Sequence, residues 1–326
     1  MQTNAPSTAS AISAPVKIAV VGAGNVGASF AYALLLSGIA SEIVIIDANR
    51  AKAEGEAMDL AHSAPFAPPV RVRVGDYSDC AGAVVTVVTA GANQKPGETR
   101  LQLLEKNAGI FQQIIPAVVE ANPTGVLLIA TNPVDVLTAL SLQLSGLPTS
   151  RVMGSGTILD TARFRHFIGS HVGVAPQNVD AYIIGEHGDS EVAVWSQVQI
   201  GGVPLDDFCA AAGIVMTQEH KDEIFRRTHR AAYDIIERKG ATYYAIGAGL
   251  VDVVAAIVRD ENRVLPVASV TDGVAGISGI AFGMPTIVNR DGASRVLPLP
   301  LSESEQEALF RSADVLRTSL SHVQQA

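Results

Sequence analysis

Between Val16 and Gly154, four short runs of consecutive apolar residues, VKIAVVG, EIVIID, AVVTVVTAG and VLLIATNP, alternate with longer helical stretches such as ASFAYALLLSG and a segment near Leu101 to Val119. A strand with one face in water alternates apolar and polar side chains, whereas a strand apolar throughout is covered on both faces. Strands of the second kind joined by helices lie parallel. The chain therefore opens with a doubly wound α/β domain over 16–154. From residue 155 the pattern changes. A helix from Leu159 to Val172, apolar runs at 181–184 and 192–200, a long helix around Gln218 to Lys239 and another from Thr242 follow one another. VLPVASV and GISGIAFGMPTIV, separated by Gly and Pro, read as antiparallel strands, and a charged helix from Ser302 closes the chain, so 155–326 is expected to be an α+β domain.

Composition narrows the class of partner. With 326 residues, 48% of them hydrophobic, there is enough apolar surface for one large or two moderate cores. A net charge of −9 without any basic tract argues against nucleic acid. The longest apolar stretches, such as Phe30 to Leu36, fall well short of the ~20 residues that a membrane span requires. Residues 1–15 are small, polar and lack a basic n-region, so they read as a disordered tail and not as a signal peptide. Cys80 and Cys209 stand alone, suiting a reducing cytosol and neither a disulfide framework nor a metal site. A cytoplasmic protein is expected.

The first strand runs into VGAGNVG and then into an apolar helix. In that context Gly22 permits the tight turn, Gly24 lets the backbone approach a pyrophosphate, and Gly27 lets helix and strand pack closely. The free N–H groups and dipole of the helix N-terminus favour an anion there. Asp47 ends the next strand, twenty residues after Gly27, where a carboxylate accepts from a ribose diol and repels a 2′-phosphate. The dinucleotide is then NAD and not NADP. The bland alternative for Asp47 is a turn cap. Val26, on the same turn, is read as a packing residue on the floor of the cofactor site.

A dehydrogenase must also move a proton and, for an acidic substrate, neutralise a carboxylate. In SGTILDTARFRHF, Asp160 and Arg163 share a helix face, while Arg165 lies two residues from Arg163, about 200° around the axis, so the two arginines cannot hold one small ligand. Arg163 suits a carboxylate and Asp160 a histidine, although by themselves the two would read as an exposed i,i+3 ion pair. His187, in YIIGEHGDSEVAVW, is the histidine that fits, since imidazole exchanges a proton readily near neutral pH. The polar stretch 89–100 follows a strand at the carboxyl edge of the sheet and reads as a lid, with Arg100 able to polarise a carbonyl and Gln94 to meet the substrate's variable end. A solvated loop is its alternative. Asn132, in ATNPVD, lies at the end of the next strand before Pro133, where a cis bond is an option.

Taken together, VGAGNVG, AGANQKPGETRL, ATNPVD, GSGTILDTARFR, IIGEHGDSE and KGATYYAIG resemble, in order, the lactate/malate dehydrogenase family in its bacterial form, from about Lys17 to Leu316. The resemblance implies that His187 donates and accepts the proton, with Asp160 its partner, Arg163 the carboxylate anchor and Arg100 the lid arginine. It also implies that Asn132 and Thr242 line the substrate pocket, that Gln94 reads the substrate side chain, and that Lys52, Tyr77, Gly91, Ala92, Ser155 and Ile246 lie near NAD. Family members are usually homotetramers, sometimes dimers. Within the family, a substrate with a second carboxylate would call for a cation at position 94, and Gln94 is an amide, which favours pyruvate and lactate over malate. Malate dehydrogenase, another 2-hydroxy acid dehydrogenase and a catalytically silent NAD-sensing module are the alternatives. Bacterial members activated by fructose 1,6-bisphosphate resemble one another in having an arginine at the position of Arg165 and a histidine seven residues before the catalytic one, where this chain has Asp180. A carboxylate repels a phosphate, so either no activation or activation that needs high ligand and low pH is expected. Replacing Gln94 by Arg is expected to shift preference from pyruvate toward oxaloacetate by about 3 kcal/mol, the scale on which a buried charge gains its counter-ion. The ratio of kcat/KM for the two substrates measures it.

Overall fold

The computed structural model describes residues 15–92 and 99–325; the tail read over 1–15 falls, apart from Pro15, outside them, as does Gln94. The first half is built from β1 (Lys17–Val21), α1 (Asn25–Ser37), β2 (Glu42–Ile46), α2 (Arg50–Ser63), β3 (Arg71–Val74), β4 (Val85–Val88), α3 (Arg100–Ala121), β5 (Val126–Ile129), α4 (Val134–Ser145) and β6 (Val152–Gly154). The second contains α5 (Ile158–Val172), the short strands β7 (Val179–Asp180), β8 (Ile183–Ile184), β9 (Val192–Ala193), β10 (Gln199–Ile200) and β11 (Val203–Pro204), then α6 (Leu205–Ala212), α7 (Gln218–Lys239), α8 (Tyr244–Val258), β12 (Arg263–Val270), β13 (Ala281–Asn289), β14 (Gly292–Val296) and α9 (Glu303–Gln325).

Strands β1, β2, β4 and β5 are almost wholly buried, as continuous apolar runs require. On one face Val88 and Ile129 pack with Phe111 of α3 and Leu137 of α4; on the other Val20, Ile43 and Val85 pack with Leu34 of α1 and Leu250 of α8. The strand order is β14-β13-β12-β6-β5-β4-β1-β2-β3. The chain leaves β1 toward β2 and β3, then returns to place β4 on the other side of β1, so the order reverses between β1 and β4. Ligands of open α/β sheets bind outside the strands' carboxyl ends at such a point. Register aligns those ends, pairing Val21 with both Ile46 and Val88 and Val88 with Ile129.

The antiparallel hairpin read near the end of the chain exists as β12 and β13, but it is not a separate layer. Ala268 of β12 pairs with Gly154 of β6, so the hairpin and β14 extend the first sheet. The sequence pattern identifies a strand's faces but not its neighbour. The apolar run 192–200 is broken into β9, a short 3-10 turn at Trp195–Gln197 and β10, which serve two different small sheets. Helix α8 starts at Tyr244, two residues later than expected, leaving Thr242 in the turn after α7. Among the described residues no helix is long and apolar enough to cross a membrane.

Candidate active site

A crevice of about 1540 Å³ lies over the switch point, lined by Gly22 and Gly24 after β1, Asp47 and Lys52 after β2, Tyr77, Gly91 and Ala92 after β4, and Asn132 after β5. Its glycine turn is shaped for a bulky anion. Gly22 has φ +110, and a Cβ on it would lie 2.5 Å from Ala90 N. At Gly27 a Cβ would come within 1.9 Å of Gly22 O, so helix and turn touch backbone to backbone. At Gly24 nothing lies within 4 Å, and the backbone there faces open space in the crevice. Helix α1 has no acidic residue in its first turn, which leaves its N-terminus open to a pyrophosphate.

Asp47 does two things at once. Its Oδ2 accepts from Ala23 N at 2.7 Å and its Oδ1 from Asn49 N at 2.8 Å, fixing the glycine turn from across the crevice. A carboxylate has about four lone-pair sites, so two remain for a ribose diol. The residues therefore fit NAD, with Val26 between the crevice and the space beyond it.

That second space is a small chamber of about 160 Å³ that shares Val26, Ala130, Asn132, Ile236 and Thr242 with the crevice. Its other walls include Ser155, Arg163, His187 and Ile246. Asp160 stands behind them, 3% exposed, with one oxygen for each cation: Arg163 Nη1 donates to Oδ1 at 2.7 Å and His187 Nδ1 to Oδ2 at 2.5 Å. The bond at Nδ1 fixes the ring and leaves Nε2 as the nitrogen free to exchange a proton.

The local sequence explains the meeting. Thr157 Oγ1 donates to Ile183 O at 2.6 Å and Ile183 N donates to Thr161 Oγ1 at 3.0 Å, so the start of α5 is registered against the strand that leads to His187. Beyond that strand, Gly185 and Gly283 exchange two backbone bonds of 2.9 and 2.8 Å, and Glu186 N donates to Ser312 Oγ of α9 at 2.8 Å. His187 N itself donates to Asp135 Oδ2 at 2.7 Å. Four elements, α4, α5, β13 and α9, hold one loop.

Burial works against a charge on His187, but the Asp160 carboxylate with its hydrogen bond, aided by Asp135, outweighs burial and the opposing charge of Arg163, lifting the imidazole to about 9. Burial likewise opposes ionisation of Asp160, yet His187 and Arg163 hold its carboxyl below the usual range. Asp135, 2% exposed, is pushed up to about 7 by burial, against the bond from His187 N and the His187 charge.

Asn107 and Asp135 are site residues that sequence reasoning missed. Asn107 Nδ2 donates to Asn132 O and Asn107 Oδ1 accepts from Ala92 N, each at 2.8 Å, tying the ends of β4 and β5 to α3. Asp135 lies inside ATNPVD, so a motif carried the signal; for Asn107 only its place on the buried face of a long helix did. Arg100 is the first residue of α3, whose Leu103 and Ile110 line the crevice. Arg165 turns away from the chamber: its Nε donates to Ala181 O at 2.9 Å, its guanidinium lies over the Tyr182 ring, and Asp180 Oδ1 stands 3.7 Å from its Nη2.

Fold and site together define a dehydrogenase that works with NAD. The chain belongs to the lactate/malate dehydrogenase family: the family's NAD binding domain matches residues 16–154 and its alpha/beta C-terminal domain residues 157–326. It is 49% identical over 302 residues to the L-lactate dehydrogenase of Thermoanaerobacter sp. (strain X514), covering 93% of this chain and 97% of that protein. It is 51% identical over 308 residues to a probable L-lactate dehydrogenase of Schizosaccharomyces pombe, covering 94% and 93%. Its structure superposes with a TM-score of 0.92 and 43% identity on a lactate dehydrogenase from a Medee basin deep-sea metagenome library, covering 95% of this chain and 99% of the other.

These shifts have a sign that calorimetry can read. The His187 pKa is raised on folding, so the stability it contributes is fully present below its ordinary 6.5 and lost as pH rises through about 9. Asp135, raised from 3.8 to about 7, acts in the same direction over a lower range. The native state thus binds more protons than the unfolded chain, and Tm should fall steadily from about pH 6 to pH 9. In Asp160→Asn the portion between about pH 7 and 9 should flatten, because the carboxylate that holds the proton on His187 is gone.

Proposed function

We propose that the protein is an L-lactate dehydrogenase, catalysing the reversible NADH-dependent reduction of pyruvate to (S)-lactate. The observation that carries this reading is the convergence of His187, Asp160 and Arg163 on a small chamber that opens from the dinucleotide crevice. The family and the L-lactate dehydrogenase names of its relatives support it.

In this reading Gly22, Gly24 and Gly27 hold the pyrophosphate of NAD, Asp47 its ribose, and Lys52, Tyr77, Gly91, Ala92, Ser155 and Ile246 the rest. When bound, NAD supplies or takes up the hydride. Arg163 holds the substrate carboxylate, and Asp160 keeps the guanidinium aimed by occupying its other side. His187 Nε2 gives its proton to the ketone oxygen during reduction and takes one from lactate in the reverse direction. With its proton held up to about pH 9, the histidine is charged at neutral pH, which suits pyruvate, while lactate binds the neutral ring. Arg100 stabilises the charge that develops on the oxygen, Asn132 and Thr242 wall the chamber, and Gln94 meets the methyl group. Asp160 also offsets the imidazolium, so the proton rests on nitrogen until the substrate arrives.

The same reading places the enzyme in the cytoplasm as a homotetramer, with apolar side chains such as Met58, Phe66 and Tyr244, 61%, 88% and 72% exposed, available to bury against copies of the chain. It gives no part to fructose 1,6-bisphosphate, because Asp180 already opposes the Arg165 charge that a phosphate would need.

Two measurements test the proposal. With NADH and pyruvate, absorbance of the reduced cofactor should fall, and His187→Ala should lower kcat by about a thousandfold while the Kd for NADH stays within about twofold; equal loss of both would make His187 structural. Micromolar fructose 1,6-bisphosphate should leave the pyruvate KM at neutral pH unchanged, and a sharp fall in KM would restore the effector.

A further inference from the structure

Glu191 lies four residues beyond His187 and has no part in the chemistry described above. It is 8% exposed, and its Oε1 is buried without a hydrogen-bond partner among the described residues. The backbone gives it little freedom to reach water. Ile184 pairs with Val192 across the β8–β9 hairpin, and Glu191 N donates to Gly188 O at 3.2 Å, so the loop folds Glu191 back toward the histidine it follows.

Among the described residues, charge faces it from helix α5 and from its own loop. Helix α5 contributes Asp160 and Arg163, and the loop itself contributes His187 and Asp189. Asp189 is in turn held from α7, by Tyr233 Oη at 2.7 Å and by His229 Nε2 at 3.7 Å. Burial weighs most against ionisation and Asp160 adds to it; His187 and Arg163 pull the other way, Asp189 opposes them, and the carboxyl is pushed up to about 8. A buried acid in such a place is cheaper to keep protonated than to leave charged without solvent.

We propose that Glu191 is an uncharged carboxylic acid buried behind the histidine loop, outside the walls of the chamber, and that loss of its proton removes the surplus positive charge with which Arg163 and His187 draw in the substrate carboxylate. Glu191 is then a positioning residue that adds a second proton loss, coupled to that of the catalytic histidine, to the alkaline limit on 2-oxo acid binding. This rests on the reading of the enzyme as a pyruvate reductase. While Glu191 is neutral and Asp135, which faces His187 from α4, also keeps its proton, Arg163 and the imidazolium outweigh Asp160, and an anionic substrate completes the balance. Ionisation of Asp135 narrows that surplus equally in the intact enzyme and in a Glu191 variant, so the difference between the two reports Glu191. Once Glu191 ionises, a second fixed carboxylate does what the substrate would have done. Because each group's charge alters the other's proton affinity, His187 and Glu191 lose their protons as a coupled pair.

The experiment follows the pH dependence of kcat and KM for pyruvate at saturating NADH, from about pH 6 to 10, in the intact enzyme and in Glu191→Gln, an uncharged isostere. In the unaltered enzyme kcat/KM should fall at high pH with a limiting slope of about two decades per pH unit, one of them lying in KM alone; in Glu191→Gln the slope should be about one decade, with neutral-pH constants within about twofold. Infrared difference spectra should show a carboxylic acid C=O band that titrates away at alkaline pH and is missing from Glu191→Gln. Superimposable pH profiles would overturn the proposal. So would a loss of more than about tenfold in kcat/KM at pH 6.5 in the Gln variant, which would make the anion the working form, or the absence of the titrating band. Failure of the unaltered enzyme to reduce pyruvate would count against the proposed function instead, and the infrared band would still decide the state of Glu191.

Discussion

A carboxylate taken out of water is tolerated only when its lone pairs meet charge or strong donors, and Asp160 meets both. One oxygen takes the Arg163 guanidinium and the other the His187 ring, which means that the group proposed to bind the substrate's charge and the group proposed to move its proton share a single anchor. Removing that anchor would strand two cations in a buried place. The arrangement also separates their tasks: each cation spends one donor on Asp160 and keeps its remaining N–H groups for the chamber. Everything around the pair serves to bring α5 and the loop after β8 to the distance this demands.

The bonds of Ile183 to Thr157, just before α5, and to Thr161 within it set that distance along the chain, and the ties to Gly283, Ser312 and Asp135 set it in the other directions. Because β12 and β13 continue the sheet that begins with β1, the frame holding His187 is the same rigid layer whose carboxyl edge forms the dinucleotide crevice. Two segments far apart in sequence, the glycine turn and the histidine loop, are thus positioned by one hydrogen-bonded sheet. The crevice and the smaller chamber meet at residues that include Val26, Asn132 and Thr242, one from α1, one from the end of β5 and one from the turn before α8.

Around His187 and Asp160 the ionisable groups are more numerous than the proposed proton transfer needs. Asp135 and Glu191 are both buried, and both hold their protons more tightly than exposed carboxyls do, with burial the largest cause in each. Asp135 works as an acceptor for a backbone N–H. Glu191 has no such duty among the described bonds, and its value lies in being neutral.

Much was readable in the chain itself. Short unbroken runs rich in Val and Ile announced strands covered on both faces, because they are too short and too β-branched for buried helices, and VGAGNVG announced a turn that only glycine can make so close to a helix. The i,i+3 spacing put Asp160 and Arg163 on one side of α5 and Arg165 on another, which is helix geometry and nothing more. Other features were not readable, since they depend on which segments become neighbours. That β12 joins β6, that Asp135 reaches the backbone of His187 fifty-two residues away, and that Asn107 bridges two strand ends are decided by packing across long separations. Local sequence determined the elements and the chemical types they carry, because backbone sterics and side-chain periodicity act over a few residues. The tertiary structure alone decided the proton affinities of His187, Asp135 and Glu191, because burial and the charges that set them arrive from other parts of the fold.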